Sequence, residues 1–139
     1  MEFTPADHFD ALNLYARYNR TVDAGDVDGW LECYAPDGQL SIPSANVTYT
    51  GRFELAAFVK RYIETSAGSE RHFISNIELS VVAEGLRGRA ALMTVRPGSR
   101  KMPPALLTTG VYEDLLSRTA GGWRFAVRSL TFDRPDREN

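Results

Sequence analysis

The chain of 139 residues is 43% hydrophobic and 24% charged, the size and balance of one globular domain, which excludes a disordered or low-complexity polymer. Sixteen Lys and Arg against eighteen Asp and Glu leave a formal net charge of −2, so the chain has no global pull toward nucleic acid or an anionic membrane, and no apolar run approaches the roughly 20 residues of a membrane span. Met1 to Pro5 lacks the basic and apolar regions of a signal peptide, and the single cysteine, Cys33, cannot close an internal disulfide; both fit a reducing cytoplasm.

The first element reads as a helix. Thr4 can cap it, Pro5 suits its first position and Asp7 completes a capping box. Ala11, Leu14, Tyr15, Tyr18 and Val22 then recur at three- and four-residue steps, the stripe of a helix with one buried face. Gly25 can end it. Asp26 caps a short second helix carrying Trp30, Leu31 and Tyr34, which Pro36-Asp37-Gly38 stops. Short extended pieces follow at Gln39 to Ile42 and Val47 to Tyr49, with Pro43 and Asn46 in the turn between them. Gly51 precedes a third helix with Leu55, Phe58, Val59 and Tyr62 on one stripe, ended by the loop Ser66-Ala67-Gly68-Ser69.

From Arg71 the period becomes that of strands. Arg71 to Val82 is the first, Gly85 turns into Arg89 to Arg96, and Pro97 to Pro104 is a long hairpin loop. Leu106 to Arg118 returns, Ala120-Gly121-Gly122 turns again, and Trp123 to Asp133 is the last strand. Arg134 to Asn139 is a polar, fraying tail. Helices first and strands afterward are the α+β signature. The expected object is one domain over 1–139, a strongly curved antiparallel sheet with three N-terminal helices in its concave face and a cavity left between them. The chain carries no Cys–His cluster of a zinc site, and its fourteen Arg and two Lys are spread along the sequence.

Several phrases, in this order, resemble the SnoaL-like members of the nuclear-transport-factor-2-like (NTF2-like) cone fold: Tyr18-Asn-Arg-Thr-Val-Asp23, Asp26-Val-Asp-Gly-Trp30, Tyr34-Ala-Pro-Asp-Gly38, Arg71-His72-Phe73, Thr109 to Asp114, and Gly122-Trp123-Arg124-Phe125. The nearest likeness is to the dehydratase branch. Bile-acid 7α-dehydratase is similar at Tyr18, Asp23 and His72. Scytalone dehydratase is similar at Asp23 and His72, but Val22 stands where it has a tyrosine, and its second histidine has no counterpart. The resemblance implies a cofactor-independent, metal-free lyase or isomerase acting on a hydrophobic, carbonyl-bearing ring or polyketide-like molecule. It also allows two other uses of the fold: the non-catalytic small subunit of a ring-hydroxylating dioxygenase, and a module that only binds a small apolar ligand.

On the dehydratase reading His72 is base and then acid, since imidazole alone ordinarily titrates near neutrality. Asp23 orients it and stabilises the imidazolium, and Tyr18 donates to the developing enolate. The plain alternatives are a hydrogen-bonded strand histidine, a turn aspartate and a core tyrosine. Tyr49, Phe58, Met93 and Tyr112 are candidates to line the pocket, and equally core residues. Alternation places Arg128 opposite Trp123, Phe125 and Val127, to bind a substrate carboxylate or enolate or, the commoner use, to face solvent or an interface. Cys33 reads as buried and inert. Alternating Leu, Val and Phe on the outer sheet face imply a homo-oligomer, dimer or trimer.

Overall fold

The computed structural model describes residues 2–66 and 69–133; Ala67 and Gly68 of the expected loop and the expected tail at 134–139 lie outside them. Helix α1 (Pro5–Ala24) opens on a reciprocal cap: the Thr4 hydroxyl accepts from the Asp7 amide at 3.2 Å, and the Asp7 carboxylate accepts from the Thr4 amide at 2.8 Å. It closes on Gly25, whose φ of 74° is left-handed, a conformation glycine adopts without steric cost. Asp26 caps the short α2 (Val27–Leu31) through the Gly29 amide. Strand β1 (Tyr34–Ile42), a 3-10 turn (Pro43–Ala45) and β2 (Val47–Thr50) precede α3 (Gly51–Ser66). Four longer strands follow, β3 (Arg71–Val82), β4 (Gly85–Arg96), β5 (Ala105–Thr119) and β6 (Gly122–Phe132). No helix among the described residues is long and apolar enough to cross a membrane.

The six strands form one sheet in the order β2-β1-β6-β5-β4-β3. All neighbours are antiparallel except β1 and β6, which run parallel. Three helices on one side of a curved, unclosed sheet make the α+β architecture, and its core lies between them. Leu14, Tyr15 and Tyr18 of α1 and Leu55 and Val59 of α3 are buried there against Leu86, Leu92, Leu116 and Phe125 of the sheet.

Two departures from the sequence expectation shape the site. Pro36-Asp37-Gly38 does not end the second helix before a strand; it lies inside β1 as an irregularity, with Asp37 at φ 59°. The register with β6 passes from Tyr34↔Phe125 to Gln39↔Val127, so turn-forming residues are spent on a local irregularity of the strand. The second departure is in β6 itself. Its partners in β5 run from Leu116↔Phe125 to Leu115↔Val127, which skips Ala126. One extra residue reverses the face of everything after it. Arg128 therefore points to the same concave side as Trp123 and Phe125, and the expectation of a solvent or interface arginine is corrected: Arg128 is 1% exposed. A similar extra residue at Asn76 in β3, φ 54°, separates inward His72 and Ile74 from inward Ile77 and Leu79.

Candidate active site

The end of α1 and the start of β3 bring together residues 49 apart in sequence. The Asp23 carboxylate accepts twice from one residue: the His72 main-chain N–H at 3.0 Å and its ring Nδ1–H at 2.6 Å. The first bond pins the start of β3 to the helix, and the second fixes the ring's tautomer and tilt. Both side chains are largely shielded, at 10% and 20% exposure. The carboxylate is thus placed to stabilise an imidazolium.

The far ring nitrogen, Nε2, lies 3.1 Å from the Tyr62 hydroxyl, which donates to Glu70 at 2.5 Å. Burial, and then the Glu70 bond, push the Tyr62 phenol well above its ordinary pKa, so it stays protonated. His72 and Tyr62 border a hollow of about 50 Å³, lined also by Tyr18, Val22, Trp30, Leu40, Phe58 and Tyr112. On its other side His72 borders an outer depression of about 250 Å³ with Asp23, Ile63 and Glu70.

Tyr18 lines the hollow, and its hydroxyl lies 2.9 Å from that of Tyr34. Burial pushes both phenols up, leaving them neutral donors. Phe58 and Tyr112 line the same hollow. Tyr49 stands one layer back, its ring 4.8 Å from that of Phe58. Met93 does not line the hollow: it alternates with buried Leu92 and Thr94, pairs with Phe73, and lies on the outer face at 39% exposure.

Arg128 is beneath the aromatic residues, 3.5 Å from the Tyr112 ring centroid and 4.4 Å from that of Tyr18. Asp114 takes it in two bonds of 2.9 and 3.0 Å, and the Tyr15 hydroxyl adds a third donor to that carboxylate at 2.6 Å. Burial opposes the guanidinium charge, and Asp114 more than offsets it, so Arg128 stays charged, while burial pushes the Asp114 carboxyl up against the pull of Arg128. Arg128 is committed to this pair and supports the hollow through the rings above it.

Sequence reasoning missed four contributors. Tyr62 read as one more apolar position on its helical stripe. Glu70 has no local pattern that marks it. Tyr34 read as a residue of the short helix. Asp114 would have emerged only by counting back from the Gly121-Gly122 turn and allowing for one extra residue in β6. Among the described residues no three His, Cys, Asp or Glu side chains converge as metal ligands would. A larger cleft of about 620 Å³ lies between α2, α3 and the β5–β6 turn, and shares no lining residue with the hollow. Its arginines are otherwise engaged: Arg52 pairs with Asp28 and Glu32 in solvent, and Arg124 donates to the Gly121 and Trp123 carbonyls. No histidine lines it.

A family model described as a SnoaL-like domain matches residues 6–129. No curated protein matches the chain. Among solved structures, a protein of unknown function with a cystatin-like fold from Nostoc punctiforme is 24% identical, with a TM-score of 0.83 over 96% of each chain. A candidate scytalone dehydratase from Novosphingobium aromaticivorans is 19% identical, with a TM-score of 0.74 over 96% of this chain and 89% of that one. The beta subunit of a candidate aromatic-ring-hydroxylating dioxygenase from the same organism is 15% identical, with a TM-score of 0.70 over 88% and 86%. At these identities the likeness is one of fold.

Proposed function

This chain belongs to the SnoaL-like domain family, and from that premise we propose that it is a cofactor-independent acid–base catalyst of the dehydratase or isomerase type. Its substrate class is a hydrophobic molecule bearing a carbonyl. The observation that carries this reading is the 2.6 Å bond between Asp23 and His72 Nδ1 beside an aromatic hollow. His72 Nε2 takes a proton from the carbon next to the carbonyl, and the C–H electron pair moves to make an enolate. Asp23 stabilises the imidazolium so formed. Tyr18, a neutral phenol, donates to the enolate oxygen. In elimination the imidazolium then gives its proton to the departing hydroxyl: the C–O bond breaks, a C=C bond forms, and water leaves with His72 restored. In isomerisation the proton returns to another carbon.

Phe58, Trp30 and Tyr112 supply apolar surface for the substrate body. A hollow of about 50 Å³ holds one or two waters at roughly 30 Å³ each, so a ring enters as Phe58 and Tyr62 of α3 move aside. Tyr49 packs behind Phe58 and sets how far it can retreat. The exposed Phe73 and Met93 on the outer sheet face support a homo-oligomer that covers them.

The test is turnover of a panel of hydrophobic β-hydroxy ketones, followed by the absorbance of the conjugated enone. His72→Ala, shown folded by circular dichroism, is expected to lose about 10²-fold or more, the usual worth of a positioned acid–base group. Activity within about threefold of wild type would remove His72 from the chemistry, because that loss is far below what general acid–base catalysis contributes.

A further inference from the structure

The dyad accounts for one nitrogen of His72. The other meets a hydroxyl, and the proton count along that contact has a consequence. A phenol has one proton, and a carboxylate only accepts. The Tyr62 proton therefore lies on the bond to Glu70. The Tyr62 oxygen is left to accept from His72, so the 3.1 Å contact requires a proton on Nε2. Nδ1 already donates to Asp23. In this arrangement each ring nitrogen of His72 faces an acceptor, and the hydrogen bonds call for a proton on both. For His72 to act as a base, the Nε2 proton must first leave.

The same residues give it a route. Val22, Tyr62 and His72 border both the inner hollow and the outer depression, while Glu70 borders only the outer one. The contact Nε2–Tyr62–Glu70 thus crosses the wall between the two spaces. We propose that Tyr62 and Glu70 extend the Asp23–His72 dyad into a four-group proton relay, through which the wall-spanning contact arms His72 by passing its Nε2 proton outward. This rests on the acid–base reading of His72. In the step, the Nε2–H bond breaks as a new O–H bond forms on Tyr62. Tyr62's original proton moves to Glu70 at the same time. The imidazolium becomes neutral imidazole and the carboxylate becomes a carboxylic acid, which then releases its proton to water in the depression. The reverse sequence reloads the ring. Tyr62 remains a neutral phenol at the start and end of the step. Glu70 acts only through Tyr62, and is a positioning residue.

The test uses the full chain without substrate, ¹⁵N-labelled in its histidines, with His8, the only other histidine, as internal reference. At neutral pH the wild-type His72 Nε2 is expected to resonate as an N–H nitrogen. In Glu70→Ala the freed Tyr62 proton turns toward His72, and Nε2 shifts to the unprotonated range while Nδ1 keeps its proton. In Tyr62→Phe the Nε2–H loses its acceptor, and its exchange with solvent is expected to speed up about tenfold, the worth of one good hydrogen bond. Unchanged Nε2 protonation in Glu70→Ala together with unchanged exchange in Tyr62→Phe, with both variants folded by their amide spectra, would overturn the relay. Because no turnover is measured, that result leaves the His72→Ala experiment free to succeed or fail separately.

Discussion

At the scale of single residues, the site depends on how few hydrogen-bonding positions are left open. Asp23 uses its two oxygens on the amide and the ring of one residue, His72. Asp23→Asn keeps an acceptor for the amide and removes the charge opposite the ring. Turnover on the enone assay is expected to fall about 10²-fold or more, as when a comparable dyad loses its carboxylate, with the thermal midpoint little changed. Cys33 is a contrasting case. It is fully buried, and burial pushes its thiol up to about 11. A maleimide or iodoacetamide probe should leave it unlabelled in the folded protein and label it once urea unfolds the chain; rapid labelling of native protein would contradict its placement. The pairing of Asp23 with His72 could be read from the sequence only through resemblance, since no local pattern joins positions 49 apart. Tyr62 and Glu70 could not be read at all, because their meaning comes from the nitrogen they face.

At the scale of elements, the capped helix ends were legible, while the end of α2 and the strand faces were not. Thr4, Asp7, Gly25 and Asp26 each act within four residues of where they stand, and each cap forms as its residue type dictates. The α1 cap also carries a pH dependence. The Thr4 amide, then the Trp123 indole, hold the Asp7 carboxyl well below its ordinary range against the opposing effect of burial, with Arg118 adding to the pull. A carboxyl depressed in the folded state adds stability above its unfolded pKa of about 3.9 and loses it as the pH falls below that value. Urea midpoints measured from neutral pH into the acid range should drop more steeply for wild type than for Asp7→Asn. Strand faces depend on counting residues without error, and β3 and β6 each contain one that defeats the count. The result in β6 is the buried Arg128–Asp114 pair. Removing one member strands the other: Arg128→Leu is expected to cost about 3–5 kcal/mol, with part of that recovered in Arg128→Leu/Asp114→Leu. Chemical denaturation of the two variants checks this; a loss in the double variant as large as in Arg128→Leu, or larger, would mean that Asp114 is not left stranded. Gly88 sits opposite Asp114, and a Cβ there would lie 2.0 Å from the Tyr15 hydroxyl that Asp114 holds. Gly88→Ala should destabilise by about 1–3 kcal/mol, as overpacking does.

At the scale of the molecule, the order of helices and strands was legible and its closure was not. The four long strands form consecutive antiparallel neighbours, as their spacing implies. The parallel pairing of β1 with β6 joins the first strand to the last, and local turn chemistry does not anticipate a contact of that range. This pairing brings Tyr34 beside Phe125 and so places its hydroxyl against Tyr18. The outer face offers a separate measurement. Light scattering is expected to give a mass above that of one chain, and Phe73→Glu with Met93→Glu to bring it down to a single copy; a wild-type monomer would remove the reason given for covering that face.

The unpaired Ala126 sets where this strand tolerates a change of length. Excising it would leave Arg128 and Leu130 on the faces they hold now and take away only the local bend. A codon lost after Arg128 would instead exchange inside for outside over the remainder of the strand. Descendants of this gene that differ by one residue in β6 should therefore differ at 126, and should vary in the arch of the sheet while keeping the same interior chemistry.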